Sequence, residues 1–434
     1  MRIFVGIIQN GVAGLYKNNN SLNKRFFSAS SVQFFSVLLT SLSSICIARL
    51  IGPTKYGEYA FLLSLLNIIA LPCYAGFSQL LVREISLLRK NNQWDYIAGI
   101  LKWSRVYILY LSLFSMLIAF VLGMINSRIS EVIILGLMVI PLKGLIVRQA
   151  SLFVTFGRVP LSYVSQGIIV NISMLLLIFF MVYLDVNVSA GNLLVFQSIF
   201  MIFSLFVMGG FLKRNLTIPN ESICYDKKKW SKALIPFALL MIINTLNTEL
   251  GSLFLGFMST ESSVAYFKVA IQISALLSLG LSVVNAIISP DIARTALDNQ
   301  EKLQTLITRG VRLSSLFTIP IGITIVVFSE EVILLLFGVD YLQAVLPLRI
   351  LCLAQMFNVA MGSVGQILQM TGQENHVLMT LIFTIVFTIV LLIILVPRFD
   401  IIGASLAIGL SIVLWNILMA IKVYKVHRLK AWLR

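Results

Sequence analysis

Four basic side chains and one acidic side chain lie clearly inside long apolar stretches of the sequence. They are Lys143, Arg148, Lys268, Arg349 and Glu249. A cation that faces lipid at mid-bilayer costs roughly 2.5–3.5 kcal/mol even on the most lenient insertion scale. Arg148 and Arg349 lie near the ends of their stretches and could extend to the membrane surface, whereas Lys143 and Lys268 need an interior role. The excess of cations predicts an anionic guest, and phosphate suits ammonium and guanidinium groups best.

Two further features concern the surroundings of these charges. Gln272 follows Lys268 by four residues, so both side chains project from one face of a helix. Glu249 lies in the preceding apolar stretch, and two roles stay open for it. Its carboxylate holds a coupling cation or proton, or it pairs with a neighbouring Lys or Arg.

Uncharged polar residues recur at steps of three and four along three apolar stretches, which places each set on one helical face. The sets are Gln33, Ser36, Thr40 and Ser43 or Ser44; Asn244, Asn247, Thr248 and Gly251; and Gln355, Asn358, Gly362, Gln366 and Gln369. Such stripes suit either hydrogen-bonded packing between helices or the wall of a wet cavity.

The sequence contains no pattern typical of catalysis. Its two histidines lie outside the predicted spans, His376 in a predicted cytoplasmic loop and His427 in the predicted tail, and no nucleophile–base pair or paired carboxylates accompany them. The four cysteines lack metal-ligand spacing, and no GxxxxGK[ST] phosphate loop occurs. We therefore expect neither enzymatic activity nor a cofactor or metal.

Composition assigns the class of the protein. Of 434 residues, 59% are hydrophobic and only 12% are charged, whereas soluble domains carry about 25% charged residues. The net charge is +16, from 33 Lys and Arg against 17 Asp and Glu. Because the basic residues lie between apolar stretches, they indicate membrane topology by the positive-inside rule and no nucleic-acid partner.

We predict an all-α integral membrane protein with about twelve transmembrane helices. The predicted spans are 26–50, 58–82, 106–126, 132–154, 161–184, 191–212, 233–257, 264–288, 311–328, 346–369, 378–397 and 402–424. Most basic residues fall in the loops that share a side with both termini, which predicts cytoplasmic termini.

An internal repeat divides the chain into two six-helix lobes. A shift of 207 residues pairs Tyr59 with Tyr266, and Lys102 with Arg309. Two copies with six spans each share one membrane orientation, which predicts a parallel pseudo-repeat and a pathway between the lobes.

The predicted units are an N-terminal cytoplasmic arm, the first lobe, a basic linker, the second lobe and a basic tail, at 1–25, 26–212, 213–232, 233–424 and 425–434. The linker contacts lipid headgroups or docks a partner. The repeat also makes the first two polar stripes equivalent, which favours the cavity.

The opening of the chain resembles that of bacterial polysaccharide-biosynthesis flippases, the O-antigen repeat-unit translocases of the multidrug/oligosaccharidyl-lipid/polysaccharide exporter superfamily. The resemblance is carried by Gln33, the segment Ala48–Tyr59, Gly76 and Arg83, and later by Phe337–Tyr341 with Ala344. The likeness in span number and loop placement covers the whole chain. The opening hairpin is its most specific part.

The resemblance implies a flippase of the bacterial plasma membrane, the inner membrane. It would move an undecaprenyl-diphosphate-linked oligosaccharide by alternating access, among membrane lipids and polysaccharide polymerase or assembly proteins. By this analogy Lys268 and Arg83 contact the diphosphate, with Lys143 and Arg148 as secondary cations. The expected sugar-cavity residues are Gln33, Asn244, Asn247, Gln272, Gln355 and Asn358.

Two other functions compete with this one. A cation-coupled multidrug exporter of the same superfamily would need acids in the cavity, and Glu249 is the one candidate. A membrane polymerase or ligase acting on lipid-linked sugars would need a sizeable outer loop or a catalytic acid. The longest outer segment, 329–344, carries Glu330, Glu331 and Asp340.

Overall fold

The computed structural model describes residues 22–125, 134, 136–184, 189–215, 223–295 and 300–433. Most of the predicted N-terminal arm, the middle of the predicted linker and the first residues of the fourth predicted span lie outside these ranges.

The described residues are almost entirely helical and include no strand. In chain order the helices are α1 Leu22–Ile69, α2 Leu71–Tyr74, α3 Phe77–Lys90, α4 Trp94–Ile125, α5 Val139–Thr155, α6 Val159–Tyr163, α7 Ile169–Tyr183, α8 Ala190–Asn215, α9 Lys227–Met258, α10 Glu261–Leu276, α11 Ser278–Thr295, α12 Gln300–Val327, α13 Ser329–Leu336, α14 Val345–Met361, α15 Val364–Met370 and α16 Glu374–His427. A π-helical turn, Val164–Ile168, joins α6 to α7, and a 3₁₀ segment, Val339–Ala344, precedes α14.

Eight helices within the described ranges are long and apolar enough to cross a membrane. The predicted class, an all-α multi-pass membrane protein, is confirmed. Helices α1 and α16 each carry two predicted spans, with non-helical backbone between them at Gly52 and Asp400. The number of twelve crossings stays a prediction, because length and composition alone do not place a helix in a bilayer.

The chain turns back between the first two predicted spans at Gly52. Its φ of 75° and ψ of 172° lie in a region that is essentially reserved for glycine. Pro53 follows and cannot donate a backbone hydrogen bond, so the helix restarts in a new direction. The Gly-Pro hinge predicted from the sequence therefore marks the break.

The two lobes approach each other closely at the end of the molecule that carries Gly52, which we call the hinge end. There α1 packs along α10, and a Cβ on Gly57 would lie 1.7 Å from the Glu261 carbonyl oxygen. Nearby, a Cβ on Gly256 would lie 2.0 Å from Cδ2 of Phe61. Glycine thus lets α1 approach the backbone of α10 at Gly57 and lets the Phe61 ring pack against α9 at Gly256.

A tyrosine and an arginine complete the closure of the hinge end. The Tyr341 hydroxyl donates to the Ala48 carbonyl at 2.8 Å, and its ring meets Tyr56 and Tyr266 edge-on. The Arg49 guanidinium donates to the carbonyls of Leu334 at 3.3 Å and Leu335 at 2.6 Å. These are C-terminal carbonyls of α13, which need donors from outside their own helix.

The opposite end, which we call the terminus end, is fastened by an aromatic cluster. Trp230, in the first turn of α9, is 1% exposed and packs against Trp103 of the first lobe. The backbone N–H of Cys224 donates to the Asp95 carbonyl at 3.3 Å. Trp230 and the Cys224 backbone therefore anchor the end of the predicted linker to the first lobe, while Lys227, Lys228 and Lys229 stay exposed.

The predicted tail also makes ordered contacts at the terminus end. Helix α16 continues to His427, and the Leu433 N–H then donates to the Ala360 carbonyl at 2.7 Å. Lys430 and Gln304 exchange two hydrogen bonds of 2.8 Å. The tail thus crosses the ends of α12 and α14.

The close approach of the lobes predicts the effect of Gly57→Ala. The added methyl group must push α1 away from α10, and overpacking of this kind costs about 1–3 kcal/mol. We expect a lower midpoint of thermal unfolding in detergent. Gly210→Ala is the matched control, since its Cβ meets nothing within 4 Å and alanine is the better helix former. Equal midpoints of thermal unfolding for Gly57→Ala and Gly210→Ala would contradict the close approach of α1 to α10.

Candidate functional site

A cavity of about 630 Å³ lies between the two lobes. It extends from Tyr56, beneath the closed hinge end, toward Ser36, which lies nearer the terminus end of α1. Its polar lining residues are Ser36, Thr40, Ser41, Ser43, Ser44, Tyr56, Tyr59, Asn171, Gln197, Thr248, Glu249, Lys268, Gln272 and Ser278. Hydroxyl and amide groups from both lobes therefore face one shared space.

The carboxylate of Glu249 is the centre of the charged part of this cavity. Lys268 Nζ lies 3.0 Å from Glu249 Oε2. The Ser64 hydroxyl donates to the same oxygen at 2.7 Å, and Asn67 Nδ2 donates to Oε1 at 2.9 Å. Of the two roles left open for Glu249, the structure shows pairing with a lysine.

A second lysine joins this group from the first lobe. Lys143, on α5, donates through Nζ to Oδ1 of Asn67. Its ammonium also lies 6.0 Å from the centre of the Tyr74 ring, within the range of a cation–π interaction. Asn67 thus links Lys143 to Glu249, and the set of Lys143, Asn67, Glu249, Ser64 and Lys268, which we call the charged cluster, carries two positive charges and one negative charge.

The polar stripe of α1 forms one wall of the cavity. The Ser44 hydroxyl donates to Oε1 of Gln272 at 2.7 Å, and Gln272 Nε2 donates to the Ser41 carbonyl at 3.1 Å. Asn171 Nδ2 donates to the Thr40 hydroxyl at 2.8 Å. The stripe therefore has both of the expected roles. It lines the cavity, and it packs α7 and α10 against α1 through hydrogen bonds.

Gln272 is the one predicted sugar-cavity residue among the described lining residues. Gln33 is exposed and accepts a hydrogen bond from the Tyr163 hydroxyl at 3.1 Å. Asn244 is exposed and Asn247 is half-buried; neither lines the cavity. These three residues lie outside the cavity wall in this conformation.

Gln355 and Asn358 belong to a different contact. Asn358 Nδ2 donates to Gln355 Oε1, and Asn416 Nδ2 donates to Asn358 Oδ1, each at 3.0 Å. This chain of amides joins α14 to α16 within the second lobe. At Gln355 and Asn358 the third polar stripe therefore serves helix packing, which was the alternative to a cavity wall.

The predicted secondary cation Arg148 is buried inside the first lobe. Its side chain donates to the Ser104 hydroxyl at 3.0 Å and to the Leu101 carbonyl at 2.9 Å. It does not extend to the surface, and it fastens α5 to α4. Arg349 likewise donates to the Ser329 hydroxyl at 2.6 Å.

Arg83 lies on the outside of α3 at the terminus end. Its side chain is 56% exposed, and Nε lies 3.8 Å from the buried carboxylate of Glu84. Lys229 approaches the other oxygen of Glu84 at 3.7 Å. Arg83 therefore does not line the cavity in this conformation.

Sequence reasoning missed Ser64 and Asn67, which supply the first-lobe donors of the charged cluster. They are spaced three residues apart in an otherwise apolar span, so they share a helical face. That spacing, together with Tyr59 on the same span, is the sequence feature that could have identified Ser64 and Asn67.

Comparison with known proteins gives a consistent group of relatives. A family model described as "Polysaccharide biosynthesis protein" matches residues 46–346, more than half of the chain. A curated relative, the "Probable low-salt glycan biosynthesis flippase Agl15" of Haloferax volcanii, is 25% identical over 167 residues. This match covers 38% of the chain and 35% of the relative, so the chain spans about a third of that relative's length.

Two solved structures share the fold over nearly the whole chain. The lipid II flippase MurJ in an inward closed conformation superposes with a TM-score of 0.72 at 14% identity, covering 91% of this chain and 87% of that one. An inward-facing multidrug resistance transporter of the MATE family gives 0.74 at 15% identity, with coverages of 93% and 98%.

The pairing inside the charged cluster predicts a non-additive mutational effect. Lys268→Met leaves Glu249 without its cation, and loss of one partner from a buried pair costs about 3–5 kcal/mol. Because the Lys268 side chain is 27% exposed, we expect about 1–3 kcal/mol. The measurement is unfolding in mixed micelles.

The double variant Lys268→Met/Glu249→Gln is the control for this effect. It removes both charges, so it should recover at least half of the loss. If the loss of stability in the double variant equals the sum of the losses in Lys268→Met and Glu249→Gln alone, the pair is not coupled.

Proposed function

Since the chain belongs to the polysaccharide biosynthesis protein family, we propose that it is a flippase for a lipid-linked oligosaccharide. The substrate is an undecaprenyl-diphosphate-linked repeat unit, and the membrane is the bacterial plasma membrane. Transport proceeds by alternating access of the cavity between the lobes. The relatives are named as flippases and transporters, which supports transport over a polymerase or ligase.

The charged cluster is the observation that carries this proposal. Lys268 of the second lobe pairs with the carboxylate of Glu249 at the cavity wall, and Lys143 of the first lobe joins this carboxylate through Asn67. An anionic headgroup matches the excess positive charge, and lysine binds phosphate as a point charge. The hydroxyl and amide groups along α1, α7 and α10 suit the hydroxyl groups of a sugar chain. We assign the diphosphate to Lys268, which lines the cavity, and to Lys143, which joins Glu249 through Asn67, whereas Arg83 and Arg148 belong neither to the cavity wall nor to the charged cluster.

The direction of transport follows from the two ends of the molecule. Basic residues concentrate at the terminus end, which the positive-inside rule assigns to the cytoplasm together with both termini. The hinge end, closed by Tyr341 and Arg49, then faces outward. The cavity loads from the cytoplasmic side and releases after the hinge end opens. Polysaccharide polymerase or assembly proteins act on the product at the outer surface.

A drug exporter receives less support from the cavity. A cationic guest needs carboxylates that are free to bind it. Of the described residues that line the cavity, Glu249 is the one acid, and Lys268 neutralises it.

The test is translocation in proteoliposomes that contain a fluorescent undecaprenyl-diphosphate oligosaccharide. A membrane-impermeant quencher reports how fast the label reaches the opposite leaflet. Lys268→Gln and Lys143→Gln each remove a charge-assisted contact to the diphosphate, so we expect rates lower by about tenfold or more. Lys102→Gln, an exposed lysine outside the cavity, should retain the wild-type rate.

Two results would overturn the proposal. The first is a wild-type rate for Lys268→Gln. The second is vesicle efflux of a cationic dye by the wild-type protein without movement of the lipid, which would favour the exporter.

A further inference from the structure

The carboxylate of Glu249 occupies a set of donors that is built for an anion. Hydroxyl, amide and ammonium donors from Ser64, Asn67 and Lys268 converge on its two oxygens at 2.7–3.0 Å. Lys143 adjoins them through Asn67. Hydroxyl, amide and two ammonium groups are also the donors that hold a phosphate. The protein therefore fills its own anion site with a side chain.

A diphosphate would compete well for these donors. A carboxylate carries one negative charge and contacts one of the two lysines directly. A diphosphate carries more charge and more acceptor oxygens, so it can engage Lys268 and Lys143 together. Glu249 cannot stay in place at the same time, because two anions at hydrogen-bond distance repel each other strongly within a site of reduced dielectric constant.

Displacement of Glu249 would break contacts between the lobes. Glu249 lies on α9 of the second lobe, whereas Ser64 and Asn67 lie on α1 of the first. Their two hydrogen bonds span the interface at the wall of the cavity. A ligand that takes over these donors removes the bonds and leaves Glu249 facing a like charge, which favours separation of α9 from α1.

We propose that Glu249 is an exchangeable stand-in for the substrate diphosphate. In the empty protein its carboxylate holds the lobes together, and the diphosphate displaces it and frees them to move. The diphosphate can drive this change because it binds more tightly to the state in which Glu249 is displaced. Only that state offers it all the donors of the charged cluster. This inference rests on the proposed function and adds to it how the substrate starts the conformational change.

The test measures binding of farnesyl diphosphate, a short polyprenyl diphosphate, to purified protein in detergent. Glu249→Gln weakens the internal competitor, so we expect an affinity higher by about tenfold. Glu249→Asp keeps the charge but shortens the side chain, so its carboxylate cannot reach all three donors. We expect this variant to bind about threefold tighter than the wild type or better.

Three controls accompany the binding series. Glu301→Gln removes the same charge from an exposed helix end and should change affinity less than about twofold. Farnesol, which lacks the diphosphate, should show no dependence on Glu249. Inorganic pyrophosphate separates the headgroup from the lipid: it should bind more weakly and rank the variants in the same order.

A second measurement reports whether the lobes stay in contact at the hinge end. Thr54 and Ser262 meet across the hinge end with hydroxyl oxygens 3.1 Å apart. Thr54→Cys/Ser262→Cys, with the four native cysteines replaced by alanine, should form a disulfide readily in the empty protein. Farnesyl diphosphate should lower the yield, and Glu249→Gln should lower it without ligand.

The outcomes separate the exchange from the proposed function. Tighter binding by both Glu249 variants and a lower disulfide yield support the exchange. Tighter binding by Glu249→Gln alone, with wild-type affinity in Glu249→Asp and an unchanged yield, overturns it in favour of simple repulsion and leaves the flippase assignment standing. Absence of farnesyl diphosphate binding in every variant overturns the diphosphate assignment itself.

Discussion

The pairing of Lys268 with Glu249 between the lobes is the interaction on which the rest of the site depends. A carboxylate in an apolar protein is tolerated only when a cation and hydrogen-bond donors offset its lost hydration. Glu249 has both, and its donors come from two lobes. The same requirement explains Lys143, which reaches the cluster through Asn67. A buried charge that depends on partners from both lobes resists any motion that separates them, unless another anion replaces it.

The two ends of the molecule fit this arrangement. At the hinge end the lobes meet through glycine backbone, the hydroxyl of Tyr341 and the guanidinium of Arg49. At the terminus end Trp230, in the first turn of α9, is buried in an aromatic cluster of the first lobe. The hinge end thus combines close helix packing and buried tyrosine rings with directional polar contacts, whereas the terminus end relies on buried aromatic surface. The charged cluster lies between the two, at the wall of the cavity.

The sequence predicted the fold class and singled out several of the residues that meet at the cavity wall. Long apolar stretches identified the helices, and the Gly-Pro hinge located the turn at Gly52, because these signals are local. Lys268, Gln272 and Glu249 were found because a charge or amide inside an apolar span needs an interior partner. The choice between a cavity wall and helix packing was not predictable for Gln355 and Asn358. Helical spacing shows which face of a helix points into the protein. It does not show whether that face contacts another helix or a cavity. For the same reason the sequence did not show that Arg148 joins α5 to α4.

A structure of the protein with bound undecaprenyl-diphosphate oligosaccharide, determined by electron cryomicroscopy in lipid nanodiscs, tests the central claim most directly. The account predicts diphosphate oxygens about 2.7–3.2 Å from Nζ of Lys268 and of Lys143, with the Glu249 carboxylate turned away from Ser64 and Asn67. A diphosphate bound elsewhere, with the pair of Lys268 and Glu249 intact, would contradict it.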